Sequence, residues 1–96
     1  MSSIKTIKRY WADWCQPCHA FEKTFNEASA KDKYKNISFE SINIEDDEGV
    51  DDSIKYSIRS IPTTILFGEN GECLKKIIGN VSLSDFEMIV DDELTM

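Results

Sequence analysis

The chain predicts an α/β fold in which a mixed, four-stranded sheet carries helices on both faces. Three observations carry that prediction. Runs rich in β-branched and aromatic residues mark strands near 4–11, 37–44, 63–67 and 73–78. Apolar residues at helical spacing follow the first strand and the last, and a short helix fits between the second and third. An Asn70-Gly71 pair joins the last two strands as a hairpin signal. The order is therefore β-α-β-α-β-β-α. Its first half is a parallel unit with a right-handed crossover, and its second half is an antiparallel hairpin with a covering helix.

Each element has its own justification. From Ile4 to Trp11, Ile and Tyr alternate with Lys and Thr, as a strand requires. Pro17 stands just inside the next helix, where a missing N–H is tolerated. Phe21, Phe25 and Ala28 form that helix's apolar stripe, which ends in Lys31-Asp32-Lys33. The Ile- and Phe-rich run from Ile37 to Ile44 reads as a central strand buried on both faces. Glu45-Asp46-Asp47-Glu48 reads as a solvated loop before a helix N-terminus, where carboxylates favour the dipole, and a short helix over Gly49–Tyr56 follows. Ser82, with Asp85 three residues on, is a loose capping box for a last helix that buries Leu83, Phe86, Ile89 and Val90. Asp91-Asp92-Glu93 reads as its solvated end. No repeat or linker interrupts this order, so residues 1–96 are expected to form a single domain with a modest core.

Composition narrows the function. A net charge of −7 without a basic cluster argues against nucleic acid as a partner. The N-terminus lacks the apolar stretch of a signal peptide, and no run approaches a membrane span. Three cysteines leave one over if two pair, which fits a reducing compartment, and a cytoplasmic monomer is expected.

Chemistry concentrates in Trp14-Cys15-Gln16-Pro17-Cys18-His19. Two cysteines separated by two residues, near a strand-helix-strand pattern, are the parts of a dithiol–disulfide switch. A Cys15 thiolate can attack a foreign disulfide, and Cys18 is close enough to attack the mixed disulfide and release the product. Cys15 precedes the helix, whose N–H groups and dipole lower a thiol pKa from about 8.5 toward neutrality. Cys18 lies one turn in and is more shielded. Pro17 stiffens the start of the helix, and Gln16 adds no charge to the site. Two core cysteines, or half of a zinc site, are the competing readings. Zinc needs four Cys or His ligands, and Cys15, Cys18, His19 and Cys73 supply them only if Cys73 of the hairpin is adjacent. Neither a metal nor a cofactor is expected beyond the redox-active Cys15–Cys18 pair. Cys73 reads as a small apolar strand residue, with a regulatory thiol as its alternative. Trp11 reads as core. Trp14 reads as a surface residue beside Cys15, or as an ordinary half-buried aromatic.

The chain resembles the thioredoxin family over nearly all its length. Trp11-Ala12-Asp13-Trp14-Cys15-Gln16-Pro17-Cys18 is similar to the family's active-site segment, with Gln16 where glycine is usual. Ile58-Arg59-Ser60-Ile61-Pro62-Thr63 resembles the segment that holds the family's cis-proline, and Asn70-Gly71-Glu72 and Gly79 resemble its hairpin turn and a glycine beside the active site. The resemblance implies a thioredoxin-like fold in a minimal form, without the family's usual preceding strand and helix and closer in outline to a glutaredoxin. It also implies a cis Ile61–Pro62 bond that exposes the Ile61 backbone to an extended substrate segment, with Trp14 and Gly79 bordering that groove.

Two further departures bear on mechanism. Arg9 stands where the family has a buried Asp that helps move the second cysteine's proton, and Ser41 stands where that Asp has a lysine companion. Arg9 either snorkels to the surface and only packs, or lies near Cys18 and favours its thiolate. His19 replaces a frequent lysine. It is either solvent-facing or, when charged, a neighbour that favours a thiolate.

The leading functional reading is a protein-disulfide reductase, recharged by a thioredoxin reductase or another dithiol donor. A glutathione-dependent, glutaredoxin-like reductase is the second enzyme reading. A disulfide oxidase or isomerase would require export. A non-catalytic binding subunit of a larger enzyme, clamping through Trp14 and Pro62, is the reading of a different class.

Overall fold

The computed structural model describes residues 3–95. Met1 and Ser2, part of the N-terminal segment read above, lie outside the described residues, as does Met96. The elements are β1 (Ile4–Trp11), α1 (Gln16–Ser29), a 3-10 turn (Asp32–Tyr34), β2 (Ser38–Asn43), α2 (Asp47–Lys55), β3 (Thr63–Gly68), β4 (Cys73–Ile78) and α3 (Leu83–Thr95). They build one sheet in the order β2-β1-β3-β4. β1 is parallel to β2 and antiparallel to β3, and β4 returns antiparallel to β3.

The sheet order corrects one expectation. β2 is an edge strand of intermediate burial, whereas β3 is buried at every position. The apolar density of 37–44 arises because both faces of this edge are covered. Phe39 packs with Phe25 and Tyr34 on one side, and Ile42 joins the Tyr10 cluster on the other. Facial burial sets that residue pattern, and backbone pairing at the edge leaves no mark on it.

Alternation along β1 sorts its side chains between two layers. Ile7 joins Leu66 and Ile77 beneath α1 and α3, where Phe21, Phe25, Phe86 and Val90 close the larger core. Tyr10 faces the opposite side with Ile65 and Phe67, under Tyr56 and Ile58. There the Tyr10 hydroxyl donates to Asp52 of α2 at 2.7 Å.

Helix boundaries differ from expectation by a few residues. α1 ends at Ser29, and Asp32-Lys33 begin the separate 3-10 turn. α2 starts at Asp47, so Asp47 and Glu48 occupy its first turn, where the dipole favours them. Gly49 follows because its Cα lies against the chain ahead of the helix: a Cβ there would overlap the Asn43 carbonyl. Ser82 Oγ accepts the Asp85 N–H at 3.1 Å and caps α3. Cys73 lies on β4 but is exposed, not core, at the end of the strand where the β3–β4 register shifts.

The 3-10 turn is tied to α3 by polar contacts. Tyr34 Oη donates to Asp91 at 2.7 Å, and Lys33 Nζ lies 2.9 Å from both Glu87 and Asp91. Burial opposes ionisation of Asp91, but the bonds from Tyr34 and Lys33 outweigh it and hold its carboxyl below the usual range. The Lys33 hydrogen bond does the same for Glu87.

Two expected outcomes follow from this packing. Gly49→Ala should cost about 1–3 kcal/mol in urea denaturation, the range for overpacking, because the obstruction is backbone and cannot swing aside. Carboxyls held below their unfolded-state pKa stabilise fully above that value, and their contribution is lost as pH falls through the folded one. Stability should therefore drop below about pH 4, and Asp91→Asn should make that acid limb shallower when denaturation is repeated across pH.

Candidate dithiol site

The site is built on the end of β1 and the start of α1. A turn closed by the Cys15 N–H on the Ala12 carbonyl, at 3.1 Å, brings Cys15 to the N-cap of α1. Cys15 Sγ accepts the Cys18 N–H at 3.2 Å, satisfying a donor that has no partner inside the helix. Pro17, within the first turn, has no such donor to satisfy. Cys15 and Cys18 are joined as a disulfide, with Cα atoms 5.3 Å apart.

Both sulfurs sit on Ala12, walled by Trp11, Ile44 and Ile61. The two cysteines differ in access. Both are buried, but Cys15, 3% exposed, lines a groove of about 550 Å³ together with Trp14, Gln16 and Pro17, whereas Cys18 is fully buried and does not line it. The opposite wall is Ile58, Arg59, Ser60 and Ile61, and the Ile61 carbonyl oxygen lies 3.6 Å from Cys15 Sγ. The Ile61–Pro62 bond is cis. Pro62 is buried and its carbonyl accepts the Gly79 N–H at 2.8 Å. Gly79 has φ +93°, a conformation suited to glycine. These two residues support the Ile61 segment from behind and do not line the groove.

The remaining residues singled out in the sequence are distributed around this pair. Trp14 is 65% exposed, and its indole N–H donates to Glu45 at 3.3 Å. His19 is exposed; its Nε2 lies 2.7 Å from the Asp13 carbonyl, so that nitrogen carries the proton. The His19 ring meets Trp11 edge-on at 6.1 Å. Trp11 is half-buried against the cysteines and so belongs to the wall of the site as well as to the core.

Arg9 does not snorkel. It is 3% exposed, donating from Nη1 to the Cys18 carbonyl at 3.1 Å and from Nε to Ser41 Oγ at 3.0 Å. Its guanidinium also lies 5.3 Å from the Trp11 ring and 5.7 Å from the Phe25 ring. A planar, weakly hydrated cation can leave water when neutral acceptors and aromatic faces receive it. Burial lowers its pKa from the usual arginine value and the attraction of Glu22 opposes that, and an arginine so placed stays protonated.

Sequence reasoning missed part of the groove. Ile58, Arg59 and Ser60 could have been found by their adjacency to Ile61–Pro62. Ile44 and Ser53 carry no sequence signal and arrive through the fold. Among the described residues no group of three or more His, Cys, Asp or Glu side chains is placed to hold a metal, and no helix is long and apolar enough to cross a membrane.

Comparison with known proteins agrees with this geometry. The family model for thioredoxin matches residues 2–92. The chain is 39% identical over 71 residues to a thioredoxin of Rickettsia bellii, covering 74% of this chain and 64% of that one. It is 35% identical over 85 residues to a thioredoxin of Buchnera aphidicola, covering 88% and 75%. A chloroplastic M-type thioredoxin of Spinacia oleracea is 36% identical over 83 residues, covering 86% and 44%. The chain spans about half the length of the chloroplastic relatives it matches. Among solved structures, the crystal structure of Malassezia sympodialis thioredoxin superposes with a TM-score of 0.80 at 22% identity, covering 92% of this chain and 73% of that one. That likeness concerns the fold.

The unequal access of the two sulfurs has a measurable consequence. Once the disulfide is reduced, limiting iodoacetamide at neutral pH should alkylate Cys15 at least about tenfold faster than Cys18, as read by peptide mass. Equal rates would contradict the assignment of Cys15 as the accessible, helix-stabilised thiolate.

Proposed function

Because the chain belongs to the thioredoxin family, we propose that it reduces protein disulfides through a Cys15/Cys18 dithiol–disulfide cycle. The observation that carries this reading is the disulfide at the start of α1, with Cys15 lining a groove and Cys18 closed off behind it. In the reduced protein, the Cys15 thiolate attacks one sulfur of a substrate disulfide. A Cys15–substrate bond forms, and the other substrate sulfur leaves with the electron pair and takes up a proton. Cys18 then attacks Cys15 Sγ, restoring the Cys15–Cys18 disulfide and releasing the second substrate thiol. Two electrons and two protons pass to the substrate.

The groove fits an extended segment laid against the Ile61 backbone, with Trp14 at its border and Pro62 and Gly79 fixing Ile61 from behind. Gln16 and Pro17 line the same groove beside Cys15 and set the surroundings of its thiolate. The cycle needs no cofactor besides this pair. The partners we propose are protein disulfides and a thioredoxin reductase, with a dithiol or glutathione donor as the other source of electrons. An odd cysteine count with Cys73 exposed suits a reducing compartment, for which we propose the cytoplasm, and a monomer suffices for the cycle.

Turnover of a protein disulfide, driven by NADPH with a thioredoxin reductase or by glutathione, tests the reading and identifies the donor. Cys15→Ser should reduce turnover to background. Cys18→Ser should accumulate the mixed disulfide with substrate. A protein without turnover from either donor, whose Cys15→Ser/Cys18→Ser variant keeps its cellular role, would instead be a binding subunit.

A further inference from the structure

A polar row crosses the sheet beneath Cys18. Arg9 of β1 is paired in register with Ser41 of β2 on one side and with Thr64 of β3 on the other. Residues directly opposed on neighbouring strands share a face, and alternation places Arg9 with Ile7 on the face covered by α1. The Arg9 contacts with the Cys18 carbonyl and the Phe25 ring agree with that placement. Thr64 is fully buried, and its hydroxyl has no hydrogen-bond partner among the described residues. The row thus puts a fixed cation against the Cys18 carbonyl, with a spare hydroxyl beside it on β3 and the exposed Ser41 at its solvent end.

Both hydrogen-bond acceptors of Arg9 are neutral, and the Glu22 carboxylate that attracts it is exposed on α1 and makes no hydrogen bond to it. The charged or titratable groups around Cys18 are few. Glu22 and His19 lie on α1 and Asp13 in the loop before it, all three exposed. β2 and β3 contribute the neutral Ser41 and Thr64, and α3 presents Phe86 and Val90 to this layer. Lys8 gathers Glu40, Glu48 and Asp52 on the opposite face of the sheet.

We propose that Arg9 is the positioning residue of the resolving step, its buried cation favouring the thiolate of Cys18. The use of that thiolate rests on the reductase reading, whereas its ionisation does not. Arg9 has no lone pair with which to accept a proton, so it acts through its field and through its bond to the Cys18 carbonyl. Cys18 releases its proton to water. Its thiolate forms a bond to Cys15 Sγ, the Cys15–substrate bond breaks, and the electron pair leaves on the substrate sulfur, which takes a proton from water. The Cys18 sulfur is oxidised and the substrate sulfur reduced.

Ionisation of Cys18 can be read without any substrate. In the full chain carrying Cys15→Ser and Cys73→Ser, Cys18 is the sole thiol, and its thiolate is followed by ultraviolet absorbance against pH. With Arg9 in place, Cys18 should ionise below the free-thiol value of about 8.5, although burial alone pushes a thiol up. Arg9→Gln, which can still donate to the Cys18 carbonyl, should raise the value by about one unit or more, and Arg9→Lys should hold it near the Arg9 value. A Cys18 value at or above about 8.5 in the Arg9 protein overturns the proposal and needs no Arg9 variant to fold. So does an unchanged value in Arg9→Gln, or an equal rise in Arg9→Gln and Arg9→Lys. Because no disulfide substrate enters this titration, its failure is separate from failure of the reductase assay.

Discussion

The position of α1 on the sheet is the constraint from which the site follows. Phe21, Phe25 and Ala28 bury one stripe of the helix against Ile7 and Leu66, and Phe86 of α3 locks the stripe from the side at 5.6 Å from Phe21. A close-packed interior admits one register for such a contact. Once that register is set, the N-terminus of α1 has one place to be, beside the end of β1 and opposite the segment before β3. The sulfurs and the Ile61 carbonyl meet there because the core behind them is rigid.

The same constraint explains what could be read from residues alone. Element types and their order were legible, since periodicity and turn chemistry report local burial. So were the two cysteines, whose spacing is itself the chemistry. The standing of β2 and β3 within the sheet was not, because Phe39 and Ile42 look alike whether their strand is central or at a covered edge. The groove wall contributed by Ile44 and Ser53 was illegible for a related reason: those residues become neighbours of Cys15 only through the parallel crossover and α2. For Arg9, the sequence posed two readings and could not choose between them. The choice depends on acceptors from Ser41 and Cys18, far apart in the chain and adjacent in space.

Charge is held differently on the two sides of the sheet. The ionic contacts of Lys8 with Glu48 and Asp52 lie on the α2 side, near the surface, where water screens them. On the α1 and α3 side, Lys31 and Lys33 pair with Glu87 and Asp91 at the surface, while Arg9 is enclosed and hydrogen-bonded to neutral groups. Most of the acidic surplus is solvated and weak in effect, whereas one enclosed cation acts at short range in a medium that screens poorly. A strongly acidic chain can therefore hold a buried cation against the backbone of its buried cysteine.

The cap of α1 is the reacting atom itself. Cys15 Sγ accepts the Cys18 N–H, so the atom that changes partners in the proposed cycle also caps the helix. A thiolate accepts that bond more strongly than a disulfide sulfur does, because the bond is then charge-assisted. Folding and redox state are thereby linked functions of one equilibrium. Whatever the cap adds to the stability of the reduced protein over the oxidised one appears, by thermodynamic necessity, as a higher reduction potential of the pair. The helix is in this sense part of the redox couple, and its backbone shares in setting how readily electrons leave.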